Sequence, residues 1–164
     1  MAIPGIQQPE IIQIDDALRL RRFDGIYDFA MEWYLDGETT YLVDGDPVPY
    51  TRYTLDRMYS YLNEHGELYF IEYLSEDGYV PIGDVTFSED DMPIVIGPKE
   101  MRGKGIGKKV ILALCERGRQ LGFGTLRVKE IYDYNTASQK CFLSCGFRED
   151  EPTQKGRSYI KVLD

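Results

Sequence analysis

At 164 residues with a formal charge of −9, the chain is long enough for one hydrophobic core and predicts a single domain over residues 1–164. No apolar run approaches the length that spans a bilayer, and residues 1–10 lack the basic-then-apolar order of a secretory signal, so the expectation is a soluble, cytoplasmic protein. The negative balance argues against nucleic acid as a partner, as the missing apolar run argues against a membrane, and it suits a cationic small molecule or basic peptide, or solubility alone.

Residues 17–23 (ALRLRRF) alternate as a first strand, and residues 27–35 place Phe29, Ala30, Trp33 and Tyr34 at helical spacing. Residues 36–50, rich in Gly, Asp and Pro, read as a loop. A second helix over residues 55–64 sets Leu55, Met58, Tyr59 and Leu62 on one stripe, with Gly66 closing it. The two helices and their loop would cap a sheet. Strands at residues 67–74, 79–87 and 92–96, separated by Ser75-Glu76-Asp77-Gly78 and Ser88-Glu89-Asp90-Asp91, predict an antiparallel meander. Pro81 and Pro93 within it mark edges or bulges.

A helix from about Gly105 to Leu121 buries Ile106, Val110, Ile111 and Leu114 and stops at Gly122. Residues 125–131 follow as a strand, and strand, helix, strand predicts a parallel crossover beside the meander. Asn135 caps a short helix through Cys145, ended by Gly146 with Phe147 folding back on it, and residues 158–162 alternate as a closing strand. The expected class is α/β (α+β): a mixed, mostly antiparallel central sheet flanked by helices. Cys115, Cys141 and Cys145 form an odd set that reads as small packed hydrophobes. With one His65 and no Cys-x-x-Cys, the expectation is no disulfide and no metal.

Ahead of the long helix stands Arg102-Gly103-Lys104-Gly105-Ile106-Gly107-Lys108. Glycines let successive backbone N–H groups converge on a phosphate, and the helix that follows adds its unpaired donors and dipole. Arg102, Lys104, Lys108 and Lys109 bring positive charge to an acidic chain. A Walker-type loop fails, because Gly107-Lys108 is followed by Lys109 rather than Ser or Thr. A dinucleotide fingerprint is also a poor match, since G-x-G-x-G follows a meander instead of opening a βαβ unit.

The pattern that fits is R-x-x-G-x-G, met by Arg102, Gly105 and Gly107, and it resembles the cofactor signature of the Gcn5-related N-acetyltransferases (GNAT). A second signature of that superfamily, Asn followed by a small residue and a closing Gly-Phe, is met by Asn135, Ser138, Gly146 and Phe147. Its Asn-x-x-Ser form is most similar to the branch of ribosomal-protein alanine and small-amine acetyltransferases. The resemblance covers residues 79–147 and implies the acyl-CoA N-acyltransferase fold, acetyl-CoA as cofactor and a monomer or homodimer.

It also implies site residues. Backbone amides of Gly103, Lys104, Gly105, Ile106, Gly107 and Lys108 would hold the pyrophosphate, with Arg102 shaping the turn. Ile94 and Ile96 would pair with the pantetheine arm as with an added strand. Asn135 and Ser138, with Phe142 nearby, would face the pantetheine or amine, and Lys140 the adenosine phosphate. The reaction is attack of a neutral amine on a thioester, so a carboxylate must accept the ammonium proton. Asp91 and Glu130 are the candidates, with Asp84 a further option, and each reads equally well as a structural residue. Many relatives carry a Tyr that protonates the thiolate where this chain has Phe142.

Tyr side chains, 13 in all, cluster before residue 80 beside Asp28, Glu32, Asp36, Glu38, Asp44 and Asp46, a combination that suits a cationic amine. Trp33, Tyr34, Asp36 and Asp84 sample that wall. The acceptor stays open among a polyamine, an aminoglycoside-like compound and a peptide N-terminus. A non-catalytic acetyl-CoA-binding module, prompted by Phe142, stays open beside them.

Overall fold

The computed structural model describes residues 2–164. The chain divides into two compact units: the residues up to Thr86 with Ile94–Lys104, and Phe87–Pro93 with Gly105–Asp164. No helix among the described residues is long and apolar enough to cross a membrane.

The first unit is built on a five-stranded sheet in the order β1 (Ile11–Gln13), β2 (Leu18–Arg22), β3 (Glu67–Ser75), β4 (Gly78–Phe87), β5 (Ile94–Ile96). β2 pairs antiparallel with both β1 and β3, and β5 pairs antiparallel with Gly83, Asp84 and Val85 of β4. β1 escapes sequence reading because three residues are too few to show alternation. Pro81 lies outside the part of β4 that β5 pairs with, and Pro93 immediately precedes β5, so neither removes a ladder donor between those strands.

Helix α1 (Met31–Leu35) continues a 3₁₀ turn at Asp28–Ala30, as the apolar spacing predicts. The stretch 36–50, expected to be a loop, instead contains helix α2 (Gly37–Asp44). Its loop-like residues are its ends. Asp36 caps it by accepting the Glu38 N–H, and Gly45 closes it in the left-handed region at φ 78°. Its buried residues are Thr39 and Thr40, so no apolar stripe advertises it.

Helix α3 (Arg52–His65) starts where Thr51 accepts the Thr54 N–H, and it ends at Gly66 in extended backbone rather than a left-handed cap. Ala30, Trp33, Tyr34, Tyr50, Leu55 and Tyr59 close over Leu68 and Phe70 of β3 to form an aromatic-rich core. Tyr69 and Ile71, which alternate to the other face of β3, are buried as well.

The second unit holds α4 (Ile106–Leu121), β6 (Thr125–Tyr132), α5 (Thr136–Ser144), β7 (Arg148–Pro152) and β8 (Gly156–Val162). Its sheet runs β6-β8-β7, antiparallel throughout. The crossover expectation is corrected here: β5 and β6 belong to different sheets, so their parallel pairing is not formed among the described residues. The fold class itself stands, as antiparallel sheets flanked by helices.

α4 buries Ile106, Val110, Ile111, Leu114, Cys115 and Gly118. Gly118 is needed for contact, because a Cβ there would stand 2.9 Å from Leu163 Cδ1. Segment 87–93 lies along β6, with the Arg127 N–H on the Glu89 carbonyl at 3.0 Å, and Phe87 stacks on Phe123. α5 is capped by Asn135. It ends with the N–H of Phe147 on the Phe142 carbonyl and the two rings edge-to-face at 5.1 Å, the expected clasp.

Candidate active site

In the first unit, β5 is the edge strand of the sheet. The Gly97 N–H bonds to the Ile82 carbonyl, which puts the Val95–Asp84 pair in hydrogen-bonded register and turns the backbone groups of Ile94 and Ile96 away from β4. This is the geometry an added extended chain uses. Arg102 already takes part of it. Its Nε donates to the Ile96 carbonyl at 3.0 Å and Nη2 to the Gly97 carbonyl at 3.1 Å and to Thr39 Oγ1 at 2.9 Å. The guanidinium is a strut within the protein, bridging β5 and α2.

The turn that follows is built on backbone. Gly103 and Gly105 have φ of 73° and 79°, left-handed conformations that side chains disfavour, and an added Cβ at either would meet only open space. The requirement for glycine there is conformational. α4 then begins at Ile106 with Gly105 as its N-cap, and no side chain caps it. The first helical N–H groups, normally satisfied by a cap, are left for another acceptor beside the exposed Lys104, Lys108 and Lys109. Left-handed glycines leading into an uncapped helix start fit a phosphate group.

The carboxylates differ sharply. Asp84 on β4 is buried. Its Oδ2 accepts from Tyr34 Oη at 2.7 Å and Tyr59 Oη at 2.8 Å. Burial pushes its pKa up to about 6 against these two donors, and burial also raises both phenols. In the second unit, Asp91 accepts the Lys129 N–H at 3.0 Å on Oδ1 and is raised, chiefly by burial. Glu130 accepts the Lys155 N–H at 3.0 Å and is lowered, first by its bond from Thr153. Both therefore hold backbone in place.

The structure brings Tyr34 and Asp84 together and adds Tyr59, which the sequence showed only as a member of the α3 stripe. Trp33 packs on the Gly97 backbone, where a Cβ would fall 2.2 Å from its ring. Asp36 is the α2 cap. The acidic wall is largely engaged: Asp28 pairs with Arg52, Glu38 with Lys99, and Asp44 accepts from Tyr50. Around α5, the Asn135 side chain accepts the Ser138 N–H at 3.2 Å, Lys140 is exposed, and Phe142 is buried against Phe147. Thr39, the Arg102 partner, went unread because its helix did.

Solved structures of similar fold include a domain from Methanocaldococcus jannaschii DSM 2661, at 17% identity and TM-score 0.78, covering 90% of this chain and 100% of that one. Another is the aminoglycoside acetyltransferase AAC(6')-Ib in complex with coenzyme A, at 17% identity and TM-score 0.68, covering 88% and 94%. A third is the spermidine N-acetyltransferase from Vibrio cholerae in complex with CoA and spermine, at 15% identity and TM-score 0.70, covering 91% and 97%. No curated protein matches the chain in sequence. The acetyltransferase (GNAT) family model matches residues 26–147, well over half of the length, and with both signatures in place the chain belongs to that family.

Proposed function

We propose that this chain transfers the acetyl group of acetyl-CoA to the primary amine of a cationic small molecule or a peptide N-terminus, by direct attack on the thioester. The observation that carries this reading is the turn from Arg102 to Lys108, with left-handed Gly103 and Gly105 running into a helix start that no side chain caps.

In this reading the amides of Gly103, Lys104, Gly105, Ile106, Gly107 and Lys108 hold the diphosphate, and the outward backbone of Ile94 and Ile96 pairs with the pantetheine amides. Asn135 and Ser138 line the arm and Lys140 meets the adenosine phosphate. Acetyl-CoA supplies an activated acyl group; the remaining work falls to the protein. An alkylammonium must lose its proton before it can attack, and a carboxylate of raised pKa is the suitable acceptor.

Asp84 meets that requirement best of the candidates. Asp91 and Glu130 have backbone N–H groups to hold, and the lowered pKa of Glu130 makes it the weakest base. Phe142 has no proton to give, so protonation of the departing thiolate falls to water. Trp33, Tyr34 and Asp36 form the acceptor side with Asp84. Polyamines and aminoglycosides are the favoured acceptors, since two structural neighbours of the same fold are named as acetyltransferases of those two kinds of amine.

The test is release of free thiol from acetyl-CoA in the presence of a panel of spermidine, spermine, aminoglycosides and short peptides. Amine-dependent turnover, lost in Gly105→Glu, is expected. Coenzyme A binding without turnover on any acceptor would favour the binding-module reading that Phe142 prompts. Absence of coenzyme A binding would overturn both.

A further inference from the structure

Thr39 has polar contacts that acetyl transfer as described above does not require. It is 2% exposed, and its hydroxyl donates to Asp36 Oδ2 at 3.2 Å while accepting from Arg102 Nη2 at 2.9 Å. Arg102 carries the connection onward to the carbonyls of Ile96 and Gly97, at 3.0 and 3.1 Å. Glu38, next to Thr39, stands 3.6 Å from Arg102 Nη1 through one oxygen and 3.0 Å from Lys99 Nζ through the other. The first turn of α2 is thus fastened to both sides of the 3₁₀ turn Lys99–Met101, the segment that delivers the chain into Gly103.

A guanidinium rotates freely unless its planar fork is matched by acceptors fixed in space. Two of those acceptors here are carbonyls of the segment that the fork itself holds, so they cannot define its position independently. Thr39 can, because it lies on the buried face of α2 with its hydroxyl oriented by Asp36. Valine has the same shape but no hydroxyl, and would leave a half-buried Arg102 donor and the Asp36 oxygen short of a partner.

We propose that Thr39 is a positioning residue for the cofactor turn. Acting through Arg102, it sets the Ile96 and Gly97 carbonyls and the entry into Gly103, and through Asp36 it ties that setting to the acceptor side. The proposal rests on the reading of the Arg102 to Lys108 turn as the acetyl-CoA seat.

Calorimetric titration of coenzyme A into wild type, Thr39→Val and Thr39→Ser tests it. The Val variant is expected to bind about tenfold more weakly and the Ser variant, which keeps the hydroxyl, within about twofold of wild type. In steady state the Val variant should raise KM for acetyl-CoA by a similar factor while kcat changes less than about threefold. Glu38→Gln, at an exposed side chain that folding tolerates, should weaken binding about two- to threefold. Wild-type affinity in a folded Thr39→Val protein overturns the proposal. Should that variant fail to fold, wild-type affinity in Thr39→Ala, which also lacks the hydroxyl, overturns it instead. A wild-type protein that binds no coenzyme A would sink the acetyl-CoA reading itself, a separate result.

Discussion

The Tyr34 hydroxyl donates to Asp84 Oδ2 at 2.7 Å across fifty residues of sequence, and both side chains are closed off from solvent. Burial makes such a carboxylate harder to ionise than one in water, and this governs how the protein responds to pH.

The ordinary Asp value of 3.8 rises to about 6 in the fold, so the folded state binds this proton more tightly than the unfolded chain does. The contribution to stability is complete below the unfolded value and is lost as pH rises through the folded one. Urea unfolding of wild type should therefore lose, between about pH 4 and 6.5, a component on the order of 3 kcal/mol that Asp84→Asn lacks. Identical pH profiles for the two proteins would show that Asp84 does not titrate there.

If Asp84 accepts the ammonium proton, activity should fall on the acid side near pH 6. Asp84→Asn should reduce kcat by about a hundredfold or more. Tyr59→Phe removes a donor that holds the carboxylate pKa down, so the acid limb should move up by about one pH unit. A limb that stays in place in Tyr59→Phe, with turnover intact in Asp84→Asn, would return the proton to Asp91 or Glu130.

Those two carboxylates have a different signature. An amide oxygen can still accept the Lys129 N–H, so Asp91→Asn should unfold close to wild type, whereas Asp91→Ala should lose about 1–2 kcal/mol. Glu130→Gln should keep kcat within about threefold. A hundredfold loss in Glu130→Gln, without loss of stability, would reassign the base.

The only Trp of the chain, Trp33, rests on Gly97, where a methyl group would overlap its ring. Gly97→Ala should destabilise by about 1–3 kcal/mol and alter the intrinsic fluorescence, since the indole must move. A variant with an unchanged melting temperature and emission spectrum would mean that the ring does not pack there.

Much of this was legible because local chemistry and tertiary demand agreed. The α4 stripe, its stop at Gly122 and the Asn135 to Phe147 helix with its clasp are each specified by neighbouring residues. α2 was hidden because its buried face is threonine and its caps look like turn residues. The split into two sheets was hidden because a strand-helix-strand order fixes chain direction without fixing which strands pair. At the site, glycine spacing pointed to the proposed phosphate seat, since a seat of that kind needs only backbone. The Asp84 pair of tyrosines was not readable, because Tyr59 sits at a helix position that any apolar residue would satisfy, and its hydroxyl matters only through a strand far away in sequence.

β5 is also short, at three residues, with Pro93 just before it and Pro98 just after Gly97, neither able to donate a backbone proton. Of its outward groups, the Ile96 carbonyl is already engaged by Arg102. A growing fibril would find too few rungs here to extend from copy to copy, whereas a slender molecule with one or two amides needs no more than these.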